Sequence, residues 1–331
     1  MSLLGVTGTT SLTGRQVWCR GTRSSETGPR GGLRAAVAAL ASILMRAPVR
    51  GIRGRWPRSL ERLAPRLFRV DPRVLLDEEP SAEDFRAAMS ILHVGATIKI
   101  TGANRHAAAD ALLLEHVDLA GASLVDIGAS DGSTSVELVA KLPDFRSYVI
   151  ADLYLHLDAV QTRRHVFFHD AEGTCVLVAG RRLLAWPSLA RWVRVLWTPL
   201  IAAARRRGTR RTVLLLGPDA RRLLREDPRV ATRVHDVFQP WEGPSPDVIK
   251  VANLLRRLYF GDEDIQRALG ALLESLDEGG HLLLLDNPRI AGIDLRAGLY
   301  RRVGGRFTVV AETEHAPEIA DLVRSEQLSV A

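Results

Sequence analysis

The sequence predicts an α/β fold with a mostly parallel central sheet, a helical lead-in and an insertion after the second core strand. Three observations carry that prediction. Short apolar runs without polar alternation recur at 123–128, 148–152, 247–253 and 281–286. Runs of this kind suit strands buried on both faces, as in a parallel sheet covered by helices. Helical patterns separate them, among them Val136, Leu138 and Val139 before Pro143, and a segment over 262–276 that ends ahead of Gly279 and Gly280. The first run closes in an acid and a glycine turn, Asp126 through Gly132, at the junction where doubly wound sheets open a ligand crevice.

Taken in order, residues 1–31 are rich in Gly, Ser, Thr and Arg, and 33–47 read as a helix interrupted by Pro48. We expect 1–70 to form a basic, largely disordered arm, because such a composition buries little apolar surface. Its thirteen arginines face only Glu26 and Glu61. A transit peptide, a loose extension and a misplaced start share that make-up. Residues 71–120 are the expected helical lead-in or cap. Ser81 ahead of Glu83 and Asp84 suits a helix start, Phe85, Met89 and Leu92 follow at helical spacing, and 105–116 suggest a second helix. The core domain is expected over 121–331, with its insertion at about 154–232. Strand runs at 233–237 and 306–310 and an apolar stretch at 319–323 complete it.

Composition excludes several classes. The two cysteines, Cys19 and Cys175, are too few for a disulfide framework or a cysteine-rich zinc module. No long uninterrupted apolar run suggests a membrane span. The net charge is +7. The N-terminal arginines more than account for it, which weakens a nucleic-acid reading of the core.

At the glycine turn, Gly128 and Gly132 let the backbone approach a ligand closely. Asp152 ends the next strand about 20 residues on, where such folds hold ribose hydroxyls. Together, Val125-Asp126-Ile127-Gly128-Ala129-Ser130-Asp131-Gly132, Asp152, His235-Asp236-Val237 and the Asp247–Leu255 run followed by Gly279-Gly280 resemble the successive motifs of class I S-adenosylmethionine-dependent methyltransferases. The resemblance covers about 120–153 and 230–325. The 253–260 segment is also similar to the same region of chemotaxis-receptor methyltransferases.

That resemblance implies a Rossmann-like methyltransferase fold and S-adenosyl-L-methionine as cofactor. By position, it implies that Asp126 orients the loop and faces the cofactor's amino group, while Gly128, Ser130 and Gly132 wrap the methionine and ribose parts. Asp152 would bind the ribose hydroxyls and Leu153 would pack on adenine. Asp236 and Val237 would meet the adenine edge, and Asn253 would line the methionyl side. Ser130 departs from the family, which often has glycine there. The Asn-Pro-Pro-aromatic signature of adenine-type amino methylation is absent, since Leu254 and Leu255 follow Asn253.

Within the insertion, 165–178 read as a hairpin about Asp170–Gly173. An apolar segment follows with Trp186, Trp192 and Trp197, and 181–233 carry fourteen arginines against three acids. Tryptophan beside arginine suits an interfacial membrane helix over 186–211, but an accessory helix packed on the domain with its arginines solvated suits it better. Contact with an acidic polymer is a third reading. His165 and His169 sit in strand context without a third ligand, so no metal site is expected. We expect a cytoplasmic methyltransferase, peripheral to a membrane if 186–211 docks there, acting on a small-molecule or lipid-like acceptor. A non-catalytic cofactor-binding protein and an enzyme acting on protein or nucleic acid are the alternatives. No catalytic residue is assigned.

Overall fold

The computed structural model describes residues 48–93, 105–288 and 290–325. Its elements run β1 (Val49–Ile52), α1 (Arg58–Leu63), β2 (Phe68–Arg69), α2 (Ala82–Met89), α3 (Ala107–His116), β3 (Ser123–Ile127), α4 (Ser133–Val139) and β4 (Ser147–Asp152). Next come β5 (His156–Gln161), β6 (Val166–His169), β7 (Cys175–Ala179), β8 (Leu183–Ala185), α5 (Arg191–Arg207), β9 (Thr209–Leu214) and α6 (Pro218–Glu226). The chain closes with β10 (Val230–Val234), β11 (Val248–Ala252), α7 (Asp262–Ser275), β12 (His281–Asp286), β13 (Arg296–Val303), β14 (Arg306–Glu312) and α8 (Ala320–Val323).

Seven strands form the first sheet in the order β10-β4-β3-β11-β12-β13-β14. Pairing is parallel from β10 to β12 and antiparallel where β13 and β14 close the edge, so the sheet is mixed. From β3 the chain winds outward through β4 and β10, then returns to β11 and β12 on the other side. That reversal makes the β3/β11 boundary a topological switch point. Alternation sorts the side chains onto two faces. Val125, Ile127, Ile249, Val251, Leu282 and Leu284 meet α7 and α8, while Leu124, Val248, Leu283 and Leu285 meet α3, α4 and α6.

The segment between β4 and β10 builds a second sheet, order β2-β1-β8-β7-β6-β5-β9. The β6–β7 hairpin turns at Asp170–Gly173, as its turn residues predict. One face packs on α2 through Phe85 and Met89, and the other on α5 through Val193 and Ala204. The lead-in therefore divides. Helix α2, capped by Ser81 Oγ accepting from the Asp84 N–H at 3.1 Å, serves the second sheet, whereas α3 serves the first.

One boundary needs correction. Residues 48–70 are not part of a loose arm, because Val49–Gly51 pair antiparallel with Leu183–Ala185 and β1 pairs parallel with β2. The edge of β8 presents unpaired backbone groups, and β1 satisfies them. Residues 1–47, including the helix expected at 33–47, lie outside the described residues.

Strand parity also fixes a buried polar group behind the switch point. On the α3/α4 face, Leu124 is followed by Asp126 and Val248 by Lys250. Lys250 Nζ lies 2.9 Å from Asp110 Oδ1 on α3, and Lys141 Nζ lies 3.1 Å from the other oxygen. Asp126 Oδ2 accepts from Ser135 Oγ at 2.7 Å and Tyr148 OH at 3.1 Å. Burial raises the Asp126 pKa, and the Lys250 charge opposes that rise. Removing one member of a buried pair costs about 3–5 kcal/mol, because a charge is left uncompensated. Lys250→Met should lose stability of that order in denaturant unfolding. Adding Asp110→Leu should recover part of the loss, and additive losses in the double variant would contradict a coupled pair.

Candidate active site

The carboxyl ends of β3, β4, β10, β11 and β12 open into one cleft of about 530 Å³. This is the size and place at which open α/β sheets take a ligand. The β3 end supplies Gly128, Ala129 and Ser130, and the β4 end Asp152, Leu153 and Tyr154. The β10 end supplies His235 through Phe238, the β11 end Asn253, Leu254 and Arg256, and the β12 end Asn287.

The glycine turn is held open by its backbone. Gly128 has φ +76°, and a Cβ there would stand 2.8 Å from Leu254 Cδ2. Ser130, where glycine is often found in the family it resembles, has φ +58°, the left-handed conformation glycine adopts most easily. Its N–H donates to Asp152 Oδ2 at 2.9 Å, and the other Asp152 oxygen accepts from the Tyr154 N–H at 2.8 Å. The carboxylate thus ties the β3 turn to the β4 end. A carboxylate oxygen can accept more than one hydrogen bond, which is the chemistry a ribose diol needs.

Asn253 is the other non-glycine residue with positive φ, +57°, among the described residues. Both left-handed positions, each costing of order 1–2 kcal/mol, line this one cleft, and such strain concentrates at functional sites. The Asn253 amide is fully engaged: Nδ2 donates to Asn287 Oδ1 at 2.9 Å and Oδ1 accepts from the Asn287 N–H at 2.8 Å. It clamps the β11 end to the β12 end.

Asp126 and Gly132 do not line the cleft. Strand alternation sends the Asp126 side chain to the α3/α4 face, and Gly132 packs inward, where a Cβ would stand 2.9 Å from that of Ala220. Gly128, Ser130, Asp152, Leu153, Asp236, Val237 and Asn253 do line it. The sequence reading missed Arg105, Arg256, Tyr259, Phe260 and Asn287, and left His106 without a role. Asn287 follows a core strand end, the same signal that picks out Asp152, and Arg256, Tyr259 and Phe260 lie in the 253–260 segment, whereas Arg105 carries no local signal. The cleft is electrically uneven: Asp152 and Asp236 stand at the β4/β10 side, Arg105 and Arg256 at the other. Arg256 is balanced by Glu318 at 3.4 Å.

His106 is buried beside Asn253, its Nε2 3.4 Å from Asn253 Nδ2. Burial, then the charges of Lys250, Arg105 and Lys141, hold its pKa down to about 3. The ring is therefore neutral at physiological pH. His235 is likewise lowered by burial, its ring edge-on to Trp241 at 5.0 Å.

No protein-family model matches the sequence, and no curated protein matches it either. Among solved structures, the chain is similar to magnesium protoporphyrin IX methyltransferase (ChlM) from Synechocystis PCC 6803, at 15% identity over 56% of each chain, TM-score 0.30. It is similar to CalS10, an amino pentose methyltransferase from Micromonospora echinaspora, at 14% identity over 60% of this chain and 61% of that one, TM-score 0.29. A third likeness is to N-methyltransferase NodS from Bradyrhizobium japonicum WM9, at 14% identity over 64% and 69%, TM-score 0.30. The match spans less than two thirds of ChlM and of CalS10.

The depressed His106 pKa has a stability consequence. The unfolded chain binds a proton at this ring near pH 6.5, while the folded chain does so only near 3. Stability is therefore present above about pH 6.5 and is lost as pH falls below it, by roughly 2 kcal/mol at about pH 5. Denaturant titrations at the two pH values should show a smaller loss in His106→Gln than in the unsubstituted protein. Equal losses would remove His106 as the source.

Proposed function

We propose that the chain is a class I S-adenosylmethionine-dependent methyltransferase, and that the cleft at the switch point holds the cofactor. The observation that carries this reading is the joined pair Gly128–Ser130 and Asp152. A turn bent at a glycine is tied to a carboxylate, the kind of group that accepts from a ribose diol. Asp152 would take those hydroxyls, Leu153 would pack on an adenine face, and Asp236 and the Val237 N–H would meet the adenine edge. Gly128 and Ser130 would follow the ribose and methionine parts.

S-adenosylmethionine supplies an activated methyl on a cationic sulfur, so the protein's task is alignment of acceptor and leaving group. Asn253, held by Asn287, fixes the wall between the β11 and β12 ends. His106, neutral at physiological pH, offers a nitrogen to an acceptor without adding charge. Tyr259 and Phe260 give this end an aromatic lining suited to a small-molecule or lipid-like acceptor. A peripheral membrane contact through 186–211 fits the lipid-like case. Asp126 and Gly132 support the loop from behind rather than touching the ligand.

Calorimetric titration of the full chain with S-adenosylmethionine should show one site, weakened at least about tenfold by Asp152→Ala, which removes charge-assisted hydrogen bonds. The absence of any heat of binding would overturn the cofactor assignment. Labelled cofactor incubated with a fractionated cell extract should place label in the small-molecule or lipid fraction. Label confined to protein or nucleic acid would overturn the acceptor class.

A further inference from the structure

Helix α5 is apolar on two faces. Its inner face, Val193, Trp197, Ile201 and Ala204, packs on the antiparallel sheet. Its outer face carries Trp192, Val195, Leu196 and Pro199 at i, i+3, i+4 and i+7, with Leu200 beside them. Trp192 is 60% exposed, Val195 74% and Leu196 64%. A surface helix ordinarily turns polar residues to that side. Contiguous exposed apolar groups mark a surface that something covers.

The charge around the face identifies what covers it. Between Glu172 and Asp219 the sequence has no acid and nine arginines. Among the described residues only Arg211 of these nine is in an ion pair, with Glu78 at 3.8 Å. Arg191 opens the helix and Arg205–Arg207 close it, so the apolar stripe lies between cationic ends. The Thr198 hydroxyl turns back onto the Arg194 carbonyl at 2.7 Å and offers little to a partner. A second copy would bring the same arginines against this face, like charge against like. An anionic bilayer satisfies both features, with phosphates for the guanidiniums and a hydrocarbon edge for the stripe. No helix among the described residues is long and apolar enough to cross a membrane, so α5 would lie along the surface.

We propose that the outer face of α5 docks in the interfacial layer of an anionic lipid bilayer. Trp192, Val195 and Leu196 enter below the headgroups, and Arg191, Arg206 and Arg207 contact phosphates. This deepens the membrane contact of the proposed function and names its lipid class, but does not depend on methyl transfer.

The test is co-sedimentation of the full chain with vesicles of phosphatidylcholine containing about one third phosphatidylserine, beside pure phosphatidylcholine. Binding should favour the anionic vesicles at least about tenfold and weaken in about 0.5 M salt. Trp192→Ser/Val195→Ser/Leu196→Ser should cut binding about tenfold or more, and Arg191→Gln/Arg206→Gln/Arg207→Gln should abolish the anionic preference. All six residues are exposed, and an unchanged thermal midpoint checks folding in both variants. Equal binding to both vesicle types, or unchanged binding by the apolar variant, would overturn the proposal. So would absence of vesicle binding with dimerisation that the apolar variant abolishes, which would give the face to a second copy. Calorimetry with S-adenosylmethionine on the same variants separates the two readings: cofactor binding without vesicle binding sinks this inference alone.

Discussion

Lys250 carries a positive charge into an interior shared with Asp110 and Asp126, and the cleft depends on that arrangement. Asp110 comes from the helix ahead of the sheet, Asp126 from its first strand and Lys250 from the strand across the switch point. Ser135 and Tyr148 complete the group from α4 and β4. These side chains sit one layer behind the glycine turn. Buried charges are tolerated only when paired and hydrogen-bonded, so each fixes the others. The turn can then hold Gly128 and Ser130 in left-handed conformations because what lies beneath it has one arrangement. The orphaned Asp126 Oδ1 marks how tightly the group is enclosed.

From that base the site is assembled by ties between neighbouring strand ends. Asp152 joins the β3 turn to the β4 end, and Asn253 joins β11 to β12. Each tie spends polar atoms on positioning. The Asn253 amide is engaged at both its nitrogen and its oxygen, which makes Asn253 a wall rather than a ligand contact. His106 belongs to both layers. It touches Asn253 at the cleft and feels Lys250 from behind, so the charges that stiffen the floor also keep its ring neutral.

The legible part of the sequence is its local part. Gly128, Asp152 and the strand runs around them are encoded within a few residues, and the parallel core with an insertion after its second strand follows from their order. The second sheet was largely hidden, because Val49 pairs with Ala185 across the lead-in and the first two core strands, and no local pattern specifies such a partner. Only its β6–β7 hairpin, closed by a tight turn, was readable. The resemblance to the methyltransferase motifs implies that Asp126 orients the loop and faces the cofactor's amino group. Its true direction depends on the parity of the strand, with Leu124 and Val248 setting the face. His106 reaches Asn253 from a helix far earlier in the chain, a matter of tertiary packing alone.

The cleft's purpose is tested most directly by a crystal structure of the full chain grown with S-adenosylhomocysteine. The ribose diol is expected on Asp152, the adenine on Leu153 with its edge at Asp236 and Val237, and the amino-acid part along Gly128 and Ser130. A ligand bound elsewhere, or in this cleft with its ribose turned away from Asp152, would contradict it.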